Sequence, residues 1–186
     1  MEIEVKVAVE DLEPYVRLAE KLGLERLHGR HFEANTLFDF PGRPLAISGC
    51  LLRVRETEGG GLLTFKGKVQ QHERYKVRPE EETLCDSGPK MRSILESIGL
   101  RPIFRYEKYR EEYQAPDAHL CLDELPFGCF LELEGTPEGI ERLAEGLELD
   151  PKTFLRRSYA DLFGEHCRKM GVPFGDILFK DGDEAT

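Results

Sequence analysis

Glu2, Glu4 and Lys6 alternate with Ile3, Val5 and Val7 at the start of the chain. In an extended strand that spacing puts three charges on one face and the apolar residues on the other. The same ladder returns along the chain: Arg53 with Arg55, Lys66 with Lys68, then Lys76, Arg78, Glu80 and Glu82, then Lys108 with Arg110, with Asp123 following Leu120 and Leu122, and Glu132 and Glu134 flanking Leu133. Signs are segregated, as R-x-R, K-x-K and K-x-R against E-x-E, and the ladders hold nine cations and seven anions on a chain of net charge -10. Paired carboxylates are hard oxygen ligands suited to Mg²⁺ or Mn²⁺. Arginine and lysine in series suit successive phosphate groups. Together they describe a metal-assisted phosphate site.

A one-sided sheet with its charged face in bulk water accounts for any single strand. The segregation of sign, and the scarcity of Ser, Thr and Gln on those faces, favour faces that converge. Such a lumen must be wet, because a desolvated unpaired ion costs several kcal/mol.

The elements needed to position these residues follow from periodicity. Leu12, Val16, Ala19 and Leu22 predict a helix over 11–22, and Met91, Ile94, Leu95 and Ile98 a second over 89–98, each closed by a glycine. Residues 137–147 and 154–170 are helical by the same criterion. Strands are expected at the N-terminus, over 31–40, in a hairpin around Gly59–Gly61, over 73–84, where Pro79 implies an edge, bulge or bend, and over 103–114, 118–124 and 129–135. This predicts an α+β fold: an eight-stranded antiparallel closed β-barrel with helices packed outside. One domain over 1–179 and a frayed acidic tail over 180–186 are expected.

A pI near 5.1 argues against broad binding to nucleic acid or anionic lipid. No apolar run approaches the roughly 18 residues of a membrane span, and a charged strand follows Met1, so a cytoplasmic protein is expected. Five cysteines form no C-x-x-C pair or zinc spacing, and G-x-x-x-x-G-K-[ST] is absent. Tyr159 reads as a packing residue of the last helix, and Phe32, Phe38, Phe40, Phe65 and Phe104 as core.

With those residues in view the sequence resembles the CYTH superfamily, or triphosphate tunnel metalloenzymes, which includes class IV adenylate cyclases, thiamine triphosphatases and inorganic triphosphatases. E-x-E-x-K stands as Glu2, Glu4 and Lys6, followed in order by "LRVRE", "LTFKGK", "RPEEE", "YEKYR", "CLDELPFGCFLELEG" and "SYADLF", over about residues 2–163. The resemblance implies an eight-stranded tunnel that binds a triphosphate through inward basic residues and Mg²⁺ or Mn²⁺ through inward acidic ones. Carried over by motif, Glu2, Glu4, Asp123, Glu132 and Glu134 are expected at the metal, with Glu80 and Glu82 as further acidic groups. Lys6, Arg53, Arg55, Lys66, Lys108 and Arg110 are expected to contact phosphate and act in catalysis. Lys68, Lys76 and Arg78 join the phosphate set by alternation alone.

The expected activity is metal-dependent hydrolysis of the terminal phosphate of tripolyphosphate, thiamine triphosphate or ATP. A class IV adenylate cyclase, which makes cyclic AMP and pyrophosphate, and a non-catalytic polyphosphate or nucleotide sensor are the alternatives. A monomer or homodimer is expected.

Overall fold

The structure, a computed structural model, describes residues 1–180; all but the first residue of the expected tail lies outside them. Strand β1 (Glu2–Val9) leads into helix α1 (Glu13–Lys21), then β2 (Glu25–Asp39), a one-turn α2 (Pro44–Ile47), and the hairpin β3 (Leu51–Thr57) and β4 (Gly60–Lys66). Next come β5 (Lys76–Arg78), β6 (Glu80–Cys85), α3 (Gly88–Ser97), β7 (Arg101–Ala115), β8 (Ala118–Leu125), β9 (Gly128–Gly135), α4 (Pro137–Gly146) and α5 (Tyr159–Met170).

All nine strands belong to one antiparallel sheet in the order β5-β1-β9-β8-β7-β2-β3-β4-β6. Its two ends, β5 and β6, are joined in the chain by Pro79 alone, so the sheet curls into a nearly closed barrel. The count is therefore nine and not eight. Proline has no N–H for a ladder and fixes its own φ, so the stretch expected as one strand over 73–84 breaks there. Lys76–Arg78 pairs with β1, and Glu80–Cys85 pairs with β4. The seam is tied by Gly67 N–H donating to the Pro79 carbonyl at 2.8 Å, and by the Arg78 guanidinium donating to the Gly67 and Lys66 carbonyls.

Alternation sends the apolar residues outward, under the helices. Val5, Val7, Leu120, Leu122, Leu131 and Leu133 form a core with Ala19 of α1 and Ile140, Leu143 and Ala144 of α4. Full burial of a leucine such as Leu131 contributes about 1.5–3 kcal/mol. A second cluster seats Met91 and Leu95 of α3 on Phe38, Leu52, Val54 and Leu63; a third lies instead toward the inside of the barrel, where Tyr159, Leu162 and Phe163 of α5 pack with Phe104, Tyr106 and Phe130.

Helix ends follow local chemistry. Ser87, Thr136 and Ser158 cap α3, α4 and α5. The helix expected over 154–170 begins only at Tyr159, because Ser158 and Asp161 form a capping box there. The preceding segment is instead extended, with Leu155 exchanging two backbone hydrogen bonds with Lys6 along the free edge of β1. No helix among the described residues is long and apolar enough to cross a membrane.

Candidate active site

Gly135 shows how locally the site is built. Its φ is 151°, and a Cβ there would stand 2.3 Å from the Asp117 carbonyl oxygen. Only glycine lets the end of β9 lie this close to the start of β8, and that approach fixes Glu134 opposite His119 and Glu4.

The barrel encloses a cavity of about 300 Å³. Eight lysine or arginine and seven glutamate side chains line it, and Leu37, Leu51, Phe104, Tyr106 and Tyr159 share the wall. Glu33 and Asp123, exposed by 1% and 0%, are held by those same cations, which removes the cationic surplus expected from the ladders.

An almost unbroken run of ion pairs follows the wall. Arg55 lies 3.2 Å from Glu33, Glu33 3.5 Å from Lys108, and Lys108 3.0 Å from Asp123. Arg110 grips Asp123 through two nitrogens at 2.6 Å and reaches Glu132 at 3.2 Å. Lys6 then bridges Glu132 at 3.2 Å and Glu4 at 2.9 Å, and Lys76 closes on Glu4. Burial alone would push the carboxyl groups of Asp123, Glu132 and Glu33 up. The opposing charges of Arg110 and Lys108 on Asp123, Lys6 and Arg110 on Glu132, and Lys108 and Arg55 on Glu33 outweigh it, so all three lie below the usual carboxylate range.

A second acidic group is divided: burial is outweighed at Glu2 by its hydrogen bond with Glu80 and the charge of Lys66, which hold it below the usual carboxylate range, while its two neighbours move the other way. One oxygen from each of Glu2, Glu80 and Glu134 lies within 4.8 Å of the others. Burial, then the charges of Glu132 and Glu2, push Glu134 up to about 7. Burial, then the hydrogen bond shared with Glu2, push Glu80 up to about 8. Lys66, 2.5 Å from Glu2 and 2.9 Å from Glu80, is the cation among the described residues that reaches them. Glu2 Oε2 is buried and accepts no hydrogen bond. Three crowded carboxylates with too little countercharge and oxygen-only donors fit a divalent cation of the Mg²⁺ or Mn²⁺ type.

The sequence-derived residues thus divide. Lys6, Arg53, Arg55, Lys66, Lys76, Lys108 and Arg110 all face the cavity. Arg53 is braced by Tyr106 Oη at 3.2 Å, Thr64 Oγ1 at 3.1 Å and Glu82 at 3.4 Å. Lys68 is exposed and off the cavity wall, because β4 ends at Lys66 and the alternation stops with it. Arg78 borders the cavity, but its Nε and Nη2 donate to backbone carbonyls at the seam. Of the expected metal ligands, Glu2 and Glu134 meet Glu80. Glu4 and Glu132 are ion-paired to lysine or arginine, and Asp123 is taken up by Arg110, Lys108 and the Tyr159 hydroxyl. Glu80 and Glu82 keep their register despite Pro79, opposite Lys66 and Thr64.

Two residues were not legible as site residues. Glu33 stands alone on its strand, with Asn35 and Leu37 at the neighbouring inward positions, so no ladder marked it. Tyr159 was expected only to pack the last helix against the barrel. Its ring does join the α5 core, but its hydroxyl donates to Asp123 at 2.5 Å and Glu132 at 3.2 Å. Helical period cannot report that the first turn of α5 faces a lumen.

Comparison with known proteins agrees with this geometry. The profile of the CYTH domain matches residues 1–159. A Methanocaldococcus jannaschii protein with the provisional name adenylate cyclase is 27% identical over 176 residues, covering 88% of this chain and 99% of its own. A Pyrococcus horikoshii structure superposes with a TM-score of 0.73 at 26% identity, covering 87% of this chain and 99% of its own. A Hippeastrum protein provisionally called an adenylyl cyclase, and described as having a dominant triphosphatase activity, shares the fold at a TM-score of 0.64 and 20% identity, covering 93% of this chain and 97% of its own. With the barrel, its charged lumen and the profile match over most of its length in agreement, the chain belongs to the CYTH domain family.

Proposed function

We propose that this protein hydrolyses the terminal phosphate of a triphosphate compound in a divalent-metal-dependent reaction. The observation that carries the reading is the pairing, in one cavity, of a countercharge-poor carboxylate trio with a run of seven inward cations. The cations are buried or partly buried and pre-positioned, yet each is matched to a carboxylate. A polyphosphate entering the cavity therefore exchanges one anion for another, and Arg53, Arg55, Lys108 and Arg110 keep their charge compensated throughout. Arginine holds phosphate oxygens through two parallel donors and lysine acts as a point charge. Glu2, Glu80 and Glu134 would hold Mg²⁺ or Mn²⁺, which when bound neutralises charge developing on the phosphate oxygens. Water held by a cavity carboxylate attacks the terminal phosphorus in line.

Class IV adenylate cyclase activity is the second reading. Leu37, Leu51 and Phe104 on the same wall offer an apolar surface that tripolyphosphate does not need and a nucleoside could use. The name of the M. jannaschii relative points the same way. Phosphorus NMR of the protein with tripolyphosphate or ATP and Mg²⁺ or Mn²⁺ decides. Orthophosphate release supports hydrolysis, cyclic AMP with pyrophosphate supports the cyclase, and binding without turnover leaves a sensor.

A further inference from the structure

A second group of metal-ligating side chains lies where β2 and β7 run together; it shares the cavity wall through Glu112 but has no residue in common with the Glu2, Glu80 and Glu134 trio. We propose that His31, Glu33 and Glu112 form a separate divalent-cation site, selective for an ion that accepts imidazole nitrogen, such as Zn²⁺ or Co²⁺.

The histidine is oriented for the task. Its Nδ1 lies 2.8 Å from the Gly29 carbonyl oxygen, so Nδ1 carries the hydrogen and donates it. The lone pair is then left on Nε2, the arrangement in which a backbone carbonyl steers a ligating imidazole. The register shifts in the β2–β7 ladder on the N-terminal side of His31 accompany this turn of backbone.

Nε2 faces two carboxylates, with Glu33 Oε1 and Glu112 Oε1 each 3.7 Å away. That is too long for a hydrogen bond. It is close to the roughly 3.5 Å that separates two ligands held about 2.1 Å from one tetrahedral ion. All three ligand atoms lie within 4.8 Å of one another.

The uncompensated negative charge at this site is that of Glu112. Glu112 has no lysine or arginine partner among the described residues. The Glu33 side chain is 1% exposed, and its Oε2 is buried without a hydrogen bond, Lys108 standing 3.5 Å from it. Arg55 shares Glu33 Oε1 at 3.2 Å, so the carboxylate serves as a bridge between the site and the ion-pair run. One imidazole and two carboxylates favour Zn²⁺ or Co²⁺, whereas Mg²⁺ keeps to oxygen.

The test is calorimetric titration of the full chain with Zn²⁺ in excess Mg²⁺, which occupies the oxygen-only trio. One equivalent of Zn²⁺ should bind, at least about tenfold more weakly in His31→Ala and in Glu112→Gln, with Glu134→Gln unchanged. Circular dichroism melting of both variants reports their folding, and the Co²⁺ form should lack thiolate charge-transfer bands. Wild-type Zn²⁺ affinity in folded His31→Ala and Glu112→Gln overturns the proposal, as does displacement of the Zn²⁺ by Mg²⁺ or a Co²⁺ spectrum showing cysteine ligation.

Discussion

Two sets of carboxylates share one lumen and meet opposite electrostatic fates. Asp123, Glu132 and Glu33 are buried, but each touches at least two cations and is held below its usual range. Glu80 and Glu134 are less deeply buried, face other carboxylates, and rise to about 8 and about 7. Burial penalises charge in both places, and the neighbours decide the outcome. Asp123 and Glu132 are framework, charge-matched before any ligand arrives; Glu33 is matched too but also faces His31. The second set is short of positive charge, which a proton or a metal ion can supply.

The sharpest way to break this contrast is to strip a cation from the matched set. Arg110→Met removes the two-nitrogen grip on Asp123 and the contact to Glu132, and should destabilise the fold by about 3–5 kcal/mol in urea unfolding at neutral pH. A loss below about 1 kcal/mol would show that the ion-pair run is not structural. Neutralising the unmatched set should do the reverse. Glu134→Gln removes like-charge repulsion and should leave the melting temperature unchanged or higher, while metal-dependent turnover falls by about two orders of magnitude. Unaltered turnover with Mg²⁺ or Mn²⁺ would remove Glu134 from the metal site.

Tyr159→Phe tests whether α5 belongs to the framework. Losing the hydroxyl that donates to Asp123 and Glu132 should cost about 1–3 kcal/mol; an unchanged unfolding midpoint would return Tyr159 to a packing role.

Titration reads the unmatched set directly. Because the folded-state values of Glu80 and Glu134 are raised, the folded protein holds extra protons between the ordinary carboxylate range and about pH 8. The stability they contribute is fully present below the ordinary carboxylate range and is lost as pH rises through about 7 for Glu134 and about 8 for Glu80. Melting of the metal-free protein should therefore fall across that window, and Mg²⁺ or Mn²⁺ should flatten the slope by replacing the protons. Calorimetry in buffers of different ionisation heat should detect proton release on metal binding near pH 7; none would place the metal elsewhere. The smallest effect belongs to Lys68→Ala, which should leave tripolyphosphate affinity within about twofold, since the residue lies off the cavity wall.

The ladder of Glu2, Glu4 and Lys6 shows how much the sequence carried. A period of two determines which side chains share a face, so most of the lumen was legible before any fold was known. Apolar periodicity placed α1, α3 and α4 within a few residues for the same reason. Pro79 was visible as an interruption, but whether it made an edge, a bulge or the closing bend depended on partners far away in sequence. Arg78 looked like its neighbours until the seam offered it carbonyls.

By itself, then, the sequence determined the alternation, the segregation of sign and the helices that cover the apolar faces, because these depend on residues a few positions apart. Which cation meets which carboxylate was decided by the tertiary structure. The stagger of nine strands brings Lys66 to Glu2, Arg55 to Glu33 and Tyr159 to Asp123 across long separations in the chain. A buried carboxyl group takes its character from those partners, and only the closed barrel supplies them.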